Sequence, residues 1–309
     1  MLRYTGMVER LVAGKLTWVN LKNPIAEEVH EVAKEYDIPP MFIGDLLTPV
    51  PRNYAIQSDG AIKLAIDFPV VKRIESDHPY EVKFIILKRT LVTVQYEEME
   101  ALDRFKKHME VLTTLKKTKK TLSGMDLFLS MMNELYQTSS SKLDYIESIL
   151  SDIEAEIFKD NEKQMVVEIA KANKRLIAYR HTLRGHEDVF FEAEPLFEKE
   201  YDGTYNSDFI ALKKMYTILF HRANALFETL NAIRTANDSM LNTKQNETIK
   251  TLTIMAFITF PLTLFSSMFG MNTEGTPIIG HPKDFWIIVG VMCTATIFFF
   301  SFFKYKKWM

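Results

Sequence analysis

The residues of this sequence best suited to handling a charged species carry no charge themselves. Asn246, Ile249, Thr253, Ala256, Phe260, Thr263 and Ser267 recur at steps of three and four, so a helix sets them in one stripe. Ile254, Ile258, Leu262 and Phe265 fall on roughly the opposite face, which is wholly bulky and apolar. Amide and hydroxyl oxygens spaced along one face could line a path for an ion. Small and polar residues also serve helix–helix packing, so the stripe alone leaves both uses open. No carboxylate lies between Glu247 and the tripeptide Gly270-Met271-Asn272 that closes the run. A proton relay inside a membrane would place an Asp, Glu or His there.

The stripe needs a helix that can hold it in a bilayer. Leu252–Phe269 and Phe285–Phe303 are uncharged apolar runs of about 18 and 19 residues, close to the roughly 20 that cross a hydrocarbon core. Pro261 is tolerable inside the first because neighbouring helices can satisfy the freed carbonyl. Lys244 and Lys250 precede the first run; Lys304, Lys306 and Lys307 follow the second. Between the runs the only charges are Glu274, Lys283 and Asp284. Lysine bias therefore predicts both termini on the cytoplasmic side and the intervening loop outside. Trp286 and Trp308 stand near opposite ends of the second run, as interfacial anchors do. Two helices per chain cannot enclose a pore, so conduction would need several chains around one axis.

What precedes these spans is charged and polar. The 309 residues carry a net charge of −2, which gives no reason to expect nucleic acid as a partner. A single cysteine, Cys293, excludes an internal disulfide. Arg3, Glu9 and Arg10 interrupt any apolar leader, so no signal peptide is expected and the bulk of the chain should stay on the side where it is made. Strand patterns fall at Met7–Val12, Leu16–Leu21, Ala61–Phe68, Glu81–Leu87 and Leu91–Gln95, the last two joined as a hairpin. A helix starts after Asn23-Pro24 and ends at Pro39-Pro40, with a second short one over Met41–Leu47. Helical patterns take over from about Met99, and Lys116–Lys120 reads as a solvated connector. Ser123 with Asp126 makes a capping box for a helix running to about Lys159. A partner helix covers Glu162 to about Val189, and Pro195–Asp208 reads as a turn-rich break. From there to Phe269 no Gly occurs and the only Pro is Pro261, which predicts a helix of roughly 60 residues, about 90 Å long.

The expected fold is an α+β membrane protein. Its parts are a cytoplasmic α/β domain (1–122), a cytoplasmic helical region (123–204), a stalk helix (205–251), a first span (252–269), an outer loop (270–284), a second span (285–303) and a basic tail (304–309).

Gly-Met-Asn directly at the outer end of the first of two C-terminal spans resembles the CorA family of magnesium channels. So do Asn246 four residues before Lys250, the run LTIMAFITFPLTLFSSMFGMN and the terminal KYKKWM. The resemblance extends more loosely to Trp18-Val19-Asn20-Leu21 and the helices before the stalk. It implies a funnel-shaped homopentamer in the cell membrane, with the first span lining the pore and the second packed outside. Asn272 would form the outer ring that receives the ion, shaped by Gly270 and Met271. Asn246 and Thr263 would be polar rings deeper in, Ile249 and Leu252 an apolar constriction, and Phe260 another narrow point. Lys304, Lys306 and Lys307 would surround the inner mouth. Family members are gated by Mg²⁺ held on carboxylates between cytoplasmic domains, for which Asp77, Asp152, Glu156, Asp160 and Asp208 are candidates. Mg²⁺ is thus the implied transported and regulatory ion, with Co²⁺ or Ni²⁺ as secondary cargo, entry driven by membrane potential, and no organic cofactor. Neutral oxygens suit it, since Mg²⁺ releases its water reluctantly and conduction needs weak successive sites. The loop TEGTPIIGHPKDF lacks an acidic-Leu pair common in the family, which keeps zinc export open, whereas Met271 favours magnesium. A two-span anchored interaction protein is a further alternative. An enzyme is not expected: no P-loop, dinucleotide-binding Gly pattern or HExxH occurs, and His181 and His186 lack zinc-site spacing.

Overall fold

Alternation decides the sheet. In β1 (Met7–Ala13), β2 (Leu16–Lys22), β3 (Tyr54–Ser58), β4 (Ala61–Phe68), β5 (Tyr80–Ile86) and β6 (Thr90–Gln95), successive side chains face opposite ways, and in β2, β4, β5 and β6 both faces are largely buried. In the computed structural model these form one six-stranded sheet in the order β1-β2-β6-β5-β4-β3. Among the described residues only β2 and β6 run parallel. The structure describes residues 7–50, 52–70, 79–114, 123–271, 278, 280, 282–306 and 308. Two compact units divide at Arg234/Thr235.

In the first unit, Val19, Leu21, Ile85, Val92 and Val94 pack under α1 (Ala26–Glu35), Phe42 and Leu46. The other face meets three helices: α2 (Glu100–Thr114), α3 (Gly124–Glu156) and α4 (Glu162–Tyr201). Trp18 stands edge-on to Phe105 of α2 at 5.1 Å, and Phe84 edge-on to Phe128 of α3 at 5.3 Å. Phe68 meets His186 of α4 at 5.2 Å. Ser123 caps α3 through its hydroxyl, while Asp126 returns a carboxylate to the Ser123 N–H. The long helix α5 (Asn206–Phe269) begins in this unit. Its buried residues Phe209, Leu212, Tyr216, Leu219, Ala223, Leu226, Leu230 and Ile233 step by three and four. The second unit holds the rest of α5 and α6 (Asp284–Tyr305).

Three sequence expectations change, and the α3–α4 junction gains detail. Strand β3 was not expected; it pairs with β4 through a two-residue turn in which Asp59 (φ 48°) and Gly60 (φ 71°) are both left-handed. The short helix expected over Met41–Leu47 is only a 3₁₀ turn at Pro40–Phe42, because lysines from the sheet capture the carbonyls beyond it. The α3–α4 junction is a π turn (Ile157–Asn161) with Asp160 left-handed at φ 67°. Pro195 does not break α4. It frees the carbonyl of Phe191, a residue 81% exposed, where water can take the bond. The chain turns only after Tyr201, at left-handed Asp202 and Gly203. The Lys116–Lys120 connector lies outside the described residues.

Candidate functional site

The second half of α5 is helical through an apolar run in which threonines bond to their own backbone. Thr253 donates to the Ile249 carbonyl at 2.8 Å, Thr259 to Met255 at 2.9 Å and Thr263 to Thr259 at 2.8 Å. Each hydroxyl proton is thereby used within the helix, and the oxygen offers only lone pairs outward. That suits a cation or its water shell.

Packing within the second unit separates the two faces of α5. Ile254 is 4% exposed, and Phe257 meets Phe303 of α6 with ring centres 6.3 Å apart. On the other side Asn246, Ile249, Leu252, Phe260, Thr263 and Ser267 are exposed, with Thr253 and Ala256 half-buried. Phe260 is 72% exposed. Within one chain, therefore, α6 leaves most of the stripe uncovered. Both helices are long and apolar enough to cross a membrane, and almost none of either apolar window is buried in the chain.

At the C-terminal end of the helix the Gly270 N–H donates to the Ser266 carbonyl at 3.0 Å, and Met271 N–H to the Met268 carbonyl at 3.4 Å. A Cβ added at Gly270 would lie 3.2 Å from the Ser266 oxygen, a contact that needs the neighbour to give by a few tenths of an ångström. Met271 is 58% exposed. Asn272 and Lys307 lie outside the described residues; Lys304 and Lys306 are exposed at the end of α6.

Among the described residues no group of three or more His, Cys, Asp or Glu could hold a metal. Asp152 lies exposed on α3 and Asp208 in the first turn of α5. Glu156 accepts from Lys159 at 2.8 Å and Asn161 at 2.6 Å, bonds that hold its carboxyl below the usual range and fasten the π turn containing Asp160. Asp77 lies outside the described residues.

Sequence reading missed a buried polar network between the sheet and the Phe42–Val50 loop. Lys83, fully buried, donates to the Thr48 carbonyl at 2.7 Å and the Tyr96 hydroxyl at 2.8 Å, and to the Asp45 carbonyl. Lys63 donates to the Phe42 carbonyl at 3.0 Å and to the Asp45 carboxylate, which also accepts from Tyr54. Burial pushes the Asp45 carboxyl up, but the bonds from Lys63 and Tyr54 outweigh it and hold it below its ordinary value. Burial likewise lowers Lys63, partly offset by Asp45. The signal was present in AIKLAIDF and YEVKFII: a lysine at an inward strand position needs a partner.

The model of a family described as CorA-like Mg²⁺ transporter protein matches residues 13–306. The cobalt/magnesium transport protein CorA of Thermotoga maritima is 22% identical over 306 residues, 95% of this chain and 83% of that protein. The corresponding protein of Methanocaldococcus jannaschii is 20% identical over 317 residues, covering 96% and 92%. The complete structure of the CorA magnesium transporter from Methanocaldococcus jannaschii matches with a TM-score of 0.79 at 19% identity, over 96% of this chain and 92% of that one. The ZntB cytoplasmic domain from Vibrio parahaemolyticus matches at 0.60 and 11% identity, over 78% of this chain and 98% of that one. At these identities the structural matches establish the fold. The family match, spanning both the α/β unit and the two candidate membrane helices, establishes more: this chain belongs to the CorA-like Mg²⁺ transporter family, whose members move divalent cations and are not enzymes.

Proposed function

We propose that this protein is a passive channel admitting Mg²⁺, and secondarily Co²⁺ or Ni²⁺, into the cell under the membrane potential. A pentamer surrounds one axis, with the α5 stripe inward, α6 outside and both termini cytoplasmic. Residues 1–122 and 123–204 form the cytoplasmic body, 205–251 the stalk, and 270–284 the outer loop. The observation that carries this reading is the neutral, oxygen-bearing stripe of α5, most of which α6 leaves exposed while Ile254 on the opposite face is buried. Asn272 forms the entry ring with Gly270 and Met271, and the carboxyamide oxygens hold the hydrated ion through its waters. Asn246, Thr253, Thr263 and Ser267 offer weak successive contacts. Ile249, Leu252 and Phe260 make the apolar narrowing, and Lys304, Lys306 and Lys307 ring the inner mouth. Mg²⁺ held on carboxylates between neighbouring cytoplasmic bodies closes the path, with Asp77, Asp152, Glu156, Asp160 and Asp208 as candidates.

Asn272→Ala in liposomes tests the assignment. It is expected to abolish Mg²⁺ uptake while leaving assembly intact; unchanged flux in that variant refutes the entry ring. Comparing Mg²⁺ with Zn²⁺ flux, with and without a pH gradient, separates influx of magnesium from export of zinc.

A further inference from the structure

Asp67 and Glu81 are direct cross-strand partners on β4 and β5, an arrangement of like charges that opposes pairing. Both line a cleft of about 1380 Å³ between the sheet and α4. The two carboxyls are not equally served. Glu81 accepts from the Val50 N–H at 2.7 Å, and its other oxygen lies 3.1 Å from the Lys83 ammonium, an ion pair without hydrogen-bond geometry. The Asp67 carboxylate has no hydrogen-bond or ion-pair partner among the described residues.

The Asp67 backbone is nonetheless held tightly. Its N–H donates to Asn53 Oδ1 at 2.7 Å, and its carbonyl accepts from His186 Nε2. Gly185 makes room for Asn53, since a Cβ there would sit 2.0 Å from the Asn53 amide nitrogen. The other charged groups of the cleft are Lys174, His181, Arg184 and Asp188 from α4, Arg52 from the loop before β3, and Glu97 after β6.

We propose that Asp67 is a proton-operated switch: it exchanges a proton with the cleft, and its charge state sets how firmly β4, β5 and α4 hold together there. Protonated, the side chain can donate to Glu81 and the two strands pair without repulsion. Ionised, it faces Glu81 across the ladder, a repulsion that His181 of α4 opposes.

Burial, followed by the charge of Glu81, raises the Asp67 carboxyl to about 6, with His181 opposing. Its unfolded value is 3.8. A folded value above the unfolded one means that the contribution to stability is complete below about 4 and is lost as pH rises through about 6. His186, buried and pushed down to about 4 from 6.5, runs in the opposite sense. Its effect is common to wild type and to a variant at position 67.

The test is the thermal unfolding midpoint of the full chain in detergent, from about pH 5 to about pH 8, for wild type and Asp67→Asn. The wild-type midpoint is expected to rise relative to D67N on acidification, with the change centred near 6. Glu81→Gln is expected to move that centre to lower pH. A wild-type-minus-D67N difference that stays flat, or a centre unmoved by E81Q, overturns the proposal. Should D67N not fold, wild type is compared with Glu81→Gln, in which His186 is unchanged. Amide protection of β4 and β5 in wild type, corrected for the intrinsic pH dependence of exchange, must then rise relative to E81Q on acidification through the same range; a difference that stays constant or falls refutes the switch. None of these readouts depends on ion transport.

Discussion

Tyr216 carries a buried hydroxyl with no hydrogen-bond partner among the described residues, yet its ring is fully engaged. It stacks on His186 at 6.0 Å and stands edge-on to Phe190 at 5.5 Å. The neighbouring Tyr136 uses its hydroxyl, which lies 2.8 Å from His186 Nδ1. Since His186 Nε2 faces the Asp67 carbonyl, Nε2 must carry the imidazole proton, and Nδ1 accepts from Tyr136. Removing an unsatisfied hydroxyl is neutral or stabilising, whereas removing a donor from a buried acceptor costs about 1–3 kcal/mol. Tyr216→Phe is therefore expected to hold or raise the unfolding midpoint, and Tyr136→Phe to lower it. Equal losses in the two variants would contradict this reading of the cluster.

At the scale of elements, α3 is seated on the β5–β6 hairpin by one glycine. A Cβ at Gly124 would lie 2.2 Å from the Leu87 carbonyl oxygen and 2.6 Å from that of Thr90, both backbone atoms of a closed turn. Gly124→Ala must push the helix off the hairpin, an overpacking that costs about 1–3 kcal/mol. Denaturant unfolding of the variant is expected to show a lower midpoint with an unchanged slope; a wild-type midpoint would mean that the contact yields freely. The sequence displayed Gly124 in the first turn of a helix but not what lies above it. Legibility elsewhere follows the same line between local and distant causes. The Ser123–Asp126 cap, the Ala61–Phe68 strand and the Gly-free length of α5 depend on neighbours in sequence, and all were legible. The Asp59-Gly60 turn was a local signal too, and attention to it would have found β3. The persistence of α4 through Pro195 and the collapse of Met41–Leu47 to a single turn depend on solvent exposure and on Lys63 and Lys83, which arrive from β4 and β5. The α5 stripe was legible in phase; which face α6 covers required the Phe257–Phe303 contact.

For the molecule as a whole, the uncovered surface of the second unit poses the remaining physical problem. Phe260, Phe298 and Trp286 are 72%, 65% and 71% exposed, far beyond what water tolerates on one short segment. Lipid can cover the uniformly apolar outside of α6. It serves the α5 stripe less well, because Thr263 and Ser267 present oxygen lone pairs that hydrocarbon cannot use, and Asn246 lies beyond the apolar run. Two-fold pairing of the stripes would bury those oxygens against each other and leave no path between them. A closed ring of heterologous contacts instead lets each α5 touch its neighbours at the flanks while the stripe faces a shared, hydrated axis. The ring reading predicts a single pentameric species in native mass spectrometry of the detergent-solubilised protein, retained in the Asn272→Ala variant because the entry ring lies at the mouth and not at the flanks. A monomer or an isologous dimer as the main species would remove the basis for a shared axis, and with it the reason for a neutral oxygen stripe on α5.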